Sequence, residues 1–182
     1  GARRGNHLVM MRGTFGNIRI KNKMVGREGS FTIKYPEGKE MFIYDAAMEY
    51  KKEGIPLVVI AGKNYGMGSS RDWAAKGTYL LGVRAVIAQS FERIHRQNLI
   101  GMGVLPLKFK EGESADDLKI KGDEILTIDI QNLSLGKPLI VKVQSEDNFF
   151  EFEAIPQFES EYELNIYKEG GIFSSILNNL LF

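Results

Sequence analysis

The chain has 182 residues, 43% of them apolar, which is enough for one sizeable core. No apolar run approaches the roughly 18 to 20 residues that a membrane-spanning helix requires, and no basic, apolar and small-residue succession marks a secretory signal. Zero cysteines exclude disulfides, thiolate zinc sites and a cysteine-held iron–sulfur cluster within these residues.

The formal charge of +1 is unevenly spread. Residues 1–27 hold seven Arg or Lys and no acid, leaving 17 basic against 23 acidic residues, a net of −6, in residues 28–182. A positive amino-terminal segment serves either as a solvated face or as a contact for an anion. The abrupt start, Gly1-Ala2-Arg3-Arg4-Gly5, reads as if cut from something longer.

Residues 1–26 show no sustained apolar period and are punctuated by Gly13, Gly16 and Asn17, which predicts loop and short turns. Two strand-like runs, 31–35 and 40–44, flank Pro36-Glu37-Gly38-Lys39 and predict a hairpin. A helix over 45–53 has Asp45 at its front, lysines near its end, and Gly54 and Pro56 to stop it.

Leu57-Val58-Val59-Ile60-Ala61 is apolar on both faces, as in a strand covered on both sides. A helix over 70–81, a strand over 83–88, a helix over 91–100 and a strand over 104–109 follow, implying parallel pairing with right-handed crossovers. After an acidic loop over 111–117, the runs 125–130, 139–143 and 149–155 alternate like antiparallel strands. Two terminal helices, 159–168 and 172–182, are split by Gly170-Gly171.

The stretch Asn64-Tyr65-Gly66-Met67-Gly68-Ser69-Ser70-Arg71-Asp72-Trp73 follows the first buried strand and enters a helix. Unpaired N–H groups at a helix front attract anions, and Gly66 and Gly68 permit unusual dihedrals and close approach to the backbone. Ser69 with Asp72 three residues on also fits a capping box, the common use of serine there. Arg71 fits a cap badly, because a cation at the anion-attracting end opposes the dipole; an anionic partner would remove the conflict.

Other motifs fail. The Rossmann fingerprint needs a third glycine where Arg71 stands, the P-loop needs a Gly-Lys-Ser/Thr ending, and the nucleophile elbow needs Gly-x-Ser-x-Gly. His95 lies inside a predicted helix and is read as structural, and His7 supports no assignment.

Met11-Arg12-Gly13-Thr14-Phe15-Gly16-Asn17-Ile18-Arg19, Tyr44-Asp45-Ala46-Ala47-Met48, the run from Ala61 to Gly77 and the run from Ser90 to Leu107 resemble the carboxy-terminal domain of aconitase. The branch is that of bacterial aconitase A and the cytosolic aconitase/iron regulatory proteins, and the resemblance covers nearly the whole chain. It implies an α/β fold, a three-layer swivelling β/β/α domain over residues 1–182 with a central parallel β-α-β-α-β core, flanking antiparallel strands and carboxy-terminal helices. It further implies one domain of a four-domain enzyme that interconverts citrate and isocitrate through cis-aconitate, with a 4Fe–4S cluster held by other domains and none bound by this chain.

By the same resemblance Ser69 is the catalytic base, and Arg12, Ser70 and Arg71 bind substrate carboxylates. The compartment implied is the cytoplasm, or a mitochondrion in a eukaryotic cell. Partners are the substrate acids and the cluster-bearing domains; an RNA hairpin is the alternative partner, and a separate small subunit of a related hydro-lyase, such as isopropylmalate isomerase, the alternative setting. Met67 departs from the smaller or more polar residue usual in relatives, with no effect expected on the four named positions.

A serine hydroxyl is too weak an acid to act as a base at neutral pH unless its alkoxide is stabilised. Fixed donors at a helix front and a neighbouring guanidinium can supply that in a dry cleft. Planar guanidinium groups also grip carboxylates with paired hydrogen bonds.

Overall fold

The computed structural model describes residues 5–68 and 72–181. In chain order the elements are α1 (His7–Gly13), β1 (Phe31–Lys34), β2 (Lys39–Phe42), α2 (Ile43–Lys52), β3 (Leu57–Ala61), α3 (Asp72–Leu80), β4 (Val83–Ala88), α4 (Arg93–Gly101), β5 (Leu105–Phe109), β6 (Ile125–Ile128), β7 (Leu139–Gln144), β8 (Phe149–Pro156), α5 (Glu161–Lys168) and α6 (Ile172–Leu181).

A six-stranded sheet runs in the order β3-β4-β5-β8-β7-β6. Its first half is parallel, with Ile60 opposite Ile87 and Ile87 opposite Leu107, as expected from two strand–helix–strand units. Its second half is antiparallel, joined where Leu107 faces Pro156. β4 is buried at every position except Arg84, whereas β7 alternates buried and exposed, so the parallel half is covered on both faces and the antiparallel half on one.

The core divides accordingly. On one face of the parallel strands, Val86, Val59 and Val104 pack with Ala75 of α3 and Leu99 of α4. On the other, Ile87, Leu105, Leu107 and Phe109 share a cluster with Val141, Val143, Phe152 and Ala154 of the antiparallel half, Phe109 stacking on Phe152 at 5.6 Å. Helices thus cover one face of the parallel strands, and the antiparallel half of the same sheet packs against the other, the mixed α/β arrangement that the resemblance implied.

Several elements differ from the sequence reading: α2 takes Ile43 and Tyr44, which the sequence pattern places in the second strand of the hairpin, α5 begins at Glu161 instead of 159, and two further differences concern α1 and α4. Residues 7–13 form a short helix rather than loop; the Asn6 side chain caps it by accepting from Leu8 N at 3.0 Å. Leu8 and Val9 on it are exposed and Met11 is buried, so its apolar residues trace no clean stripe. α4 begins at Arg93 instead of 91, because Phe91 is still bridged to Tyr65 and Glu92 serves as cap, accepting from His95 N at 2.7 Å.

α4 is fastened to α5 by Arg96, only 5% exposed. Its guanidinium donates to both carboxylate oxygens of Glu163, at 2.7 and 3.0 Å, and to Gln157 O at 2.7 Å. Burial alone would push the Glu163 carboxyl up, but hydrogen bonds from Arg96 and the Glu159 backbone hold it below the ordinary carboxylate range.

α1 is set against α3, most tightly where it ends. Thr14, whose hydroxyl donates to Met10 O at 3.0 Å, faces Gly77, where a β-carbon would fall 1.8 Å from the Thr14 hydroxyl oxygen. Met11, Ala47 and Leu81 close the seam among α1, α2 and the end of α3. Gly77→Ala should therefore destabilise the domain by about 1–3 kcal/mol through overpacking, read as a lower urea midpoint, with Thr14→Ala in the same chain recovering part of the loss.

Candidate functional site

The segment after β3 leaves the carboxyl end of the parallel strands, where open α/β sheets place their ligands. It is fastened to the segment after β4. Gln89 N donates to Gly62 O at 3.1 Å, Asn64 N to Ser90 Oγ at 2.7 Å, Tyr65 N to Ser90 O at 2.9 Å, and Glu92 N to Tyr65 O at 2.9 Å. Strand pairing in effect continues past the named strands, ending in a bridge between Tyr65 and Phe91.

Beyond that anchor the chain turns sharply. Asn64, Gly66 and Gly68 sit at φ of 55°, 91° and 75°, the dihedral freedom for which the sequence reserved the two glycines. At Gly66 a second constraint operates: a β-carbon there would fall 2.3–2.4 Å from Cγ, Cβ and Cδ2 of His95. The loop backbone lies directly on the imidazole.

His95 is 3% exposed and meets the Tyr65 ring at 5.4 Å. Burial pushes its pKa down from the ordinary 6.5, against an opposing pull from Glu92. The Tyr65 phenol is pushed up to about 12 by burial, opposed by its hydrogen bond with Thr78 of α3. His95 lies beneath the loop, and burial favours its neutral imidazole.

Arg12 lies exposed in the last turn of α1, its guanidinium carbon 4.4 Å above the centre of the Tyr44 ring at the start of α2. The contact of Thr14 with Gly77 brings α1 alongside α3, the helix that the loop enters. Ser69, Ser70 and Arg71, and with them the Ser69 cap, lie outside the described residues. Met67, beside them, is 67% exposed.

Within the positive amino-terminal segment, Lys21 pairs with Glu28 at 3.3 Å, Lys23 with Asp116, and Arg27 with Glu40. Those side chains are matched internally, and Arg12 has no carboxylate partner among the described residues. The sequence reading missed Ser90 and Tyr44 as parts of the site's framework. Ser90 opens a quoted motif and Tyr44 another, so both were visible as residues, but their roles depend on neighbours 26 and 32 positions away.

Residues 1–112 match the aconitase C-terminal domain family. The chain belongs to that family. It is 57% identical over 97% of its length to aconitate hydratase A of Bacillus subtilis and 55% identical over 100% to aconitate hydratase A of Thermus thermophilus, and spans about one fifth of the length of these curated relatives. The crystal structure of 3-isopropylmalate dehydratase from Methanocaldococcus jannaschii superposes with a TM-score of 0.53 at 25% identity, covering 78% of this chain and 80% of that one.

This aconitase C-terminal domain has no cysteine, and among its described residues no group of three or more His, Asp or Glu could hold a metal ion. Its donor set does not fit an iron–sulfur cluster. No described helix is long and apolar enough to cross a membrane. A cavity of about 320 Å³ bordered by Tyr79, Arg84, Tyr167 and Lys168 sits at the opposite end of the parallel strands, away from the loop.

A pH effect follows from His95. Since its folded pKa is depressed below 6.5, the unfolded chain takes up a proton that the folded chain resists as pH falls through that value, and stability declines. Urea midpoints should drop between pH 7.5 and 5.5, and His95→Gln should flatten that part of the profile.

Proposed function

We propose that this chain is the domain of an aconitate hydratase that supplies the catalytic base and part of the carboxylate grip, folding as one unit over residues 1–182. The observation that carries this reading is 57% identity to a Bacillus subtilis aconitate hydratase A across 97% of the chain. It is supported by hydrogen bonds that pin residues 62–65 at the carboxyl ends of the parallel strands, and by α1, which carries Arg12, lying alongside α3.

Ser69 takes the roles of base and later of acid. Its alkoxide removes a proton from the carbon beside a substrate carboxylate, and the C–H electron pair becomes the double bond of cis-aconitate. The hydroxyl departs from the neighbouring carbon toward groups outside this chain. Arg12, Ser70 and Arg71 hold carboxylates, which orients the C–H bond and keeps the substrate's charge next to compensating donors.

The remaining domains of the enzyme carry the 4Fe–4S cluster, which in this reading supplies Lewis-acid chemistry when bound. They also close the cleft and exclude water, in a protein working in the cytoplasm. A serine alkoxide is stable enough to serve only with water excluded, because fixed amide and guanidinium dipoles act strongly in a low dielectric.

The test is Ser69→Ala in the full-length protein with its cluster reconstituted, following cis-aconitate by ultraviolet absorbance. Loss of a positioned proton-transfer group should lower kcat by about 100- to 10,000-fold while KM for citrate changes little. Turnover equal to the parent would overturn the assignment.

A further inference from the structure

Tyr44 opens the segment Tyr44-Asp45-Ala46-Ala47-Met48, which the reaction outlined above leaves without a role. Its ring is held in the first turn of α2, against the buried cluster of Met11, Ala47 and Leu81. Over that ring lies the guanidinium of Arg12, at 4.4 Å.

The position over the ring face matters because of what it leaves free. A guanidinium carries its five N–H donors in its plane, directed outward along the edges. A carboxylate partner consumes an edge, as Glu163 does for Arg96. A ring beneath the plane consumes none, while restricting a long side chain that would otherwise sample many rotamers. Arg27 shows the contrast within the same segment: it stacks on Phe31 and also pairs with Glu40.

We propose that Tyr44 is a positioning residue for substrate binding: its ring presents Arg12 with donor edges open toward an incoming carboxylate of a small polycarboxylic acid. This rests on the reading of Arg12 as a carboxylate binder. The attraction is between cation and ring face, so the phenolic hydroxyl is dispensable and the ring's electron density is not.

The experiment uses the full-length protein with its cluster reconstituted, and reads KM for citrate and kcat. Tyr44→Leu removes the ring, Tyr44→Phe keeps it, and Tyr44→pentafluorophenylalanine keeps its shape while reversing its charge distribution, which guards against a misfolded leucine variant. Each is also made in an Arg12→Ala background.

The leucine and pentafluorophenylalanine variants should raise KM about two- to fivefold, with kcat nearly unchanged. Tyr44→Phe should stay close to the parent. In the Arg12→Ala background the substitutions should add nothing, since the coupling runs through that side chain.

A parent-like KM for both disruptive variants overturns the proposal, as does an equal rise with Arg12 absent. Should Arg12→Ala itself leave KM at the parent value, the underlying carboxylate-binding role of Arg12 falls, and this proposal with it. A kcat loss for Ser69→Ala would still stand apart from that outcome.

Discussion

The close approach of the Gly66 backbone to the His95 imidazole is the constraint on which the site's architecture depends. A glycine is required there twice over, by φ of 91° and by the absence of room for any β-carbon. The imidazole is in turn fixed by α4, and α4 by the Arg96–Glu163 clasp to α5. A chain of contacts therefore runs from the carboxy-terminal helices to the turn that precedes the serines. Such overdetermination would serve the base proposed above, since a displaced donor is worth little to a developing charge.

Charge is arranged with similar economy. Residues 28–182 carry a net of −6 and residues 1–27 a net of +7. Part of that positive charge is matched within the domain, where Lys21, Lys23 and Arg27 meet carboxylates. Exposed pairs of this kind contribute little stability, about 0–1 kcal/mol each, but they reduce the field that would otherwise compete for an anion. Arg12, resting on an aromatic ring, retains its capacity for a charged partner.

The parallel core was legible because β3, β4 and β5 are short apolar runs separated by helix formers, and burial on both faces leaves that signature directly in composition. The alternation of β7 was equally readable. α1 was not, because a seven-residue helix that buries Met11 while exposing Leu8 and Val9 shows no clean period. The two glycines of the loop could be anticipated from their freedom of dihedral, whereas the bed provided by His95, some thirty residues on, required the fold. The placement of Arg12 over the Tyr44 ring was likewise invisible, since nothing local to either residue encodes it.

The contact between Thr14 and Gly77 has a mechanical implication. With the hydroxyl seated where any larger residue on α3 would collide, α1 and α3 have no slack between them. On the reading proposed above, Arg12 and α3 then move as one body, their relative placement fixed during folding rather than at binding.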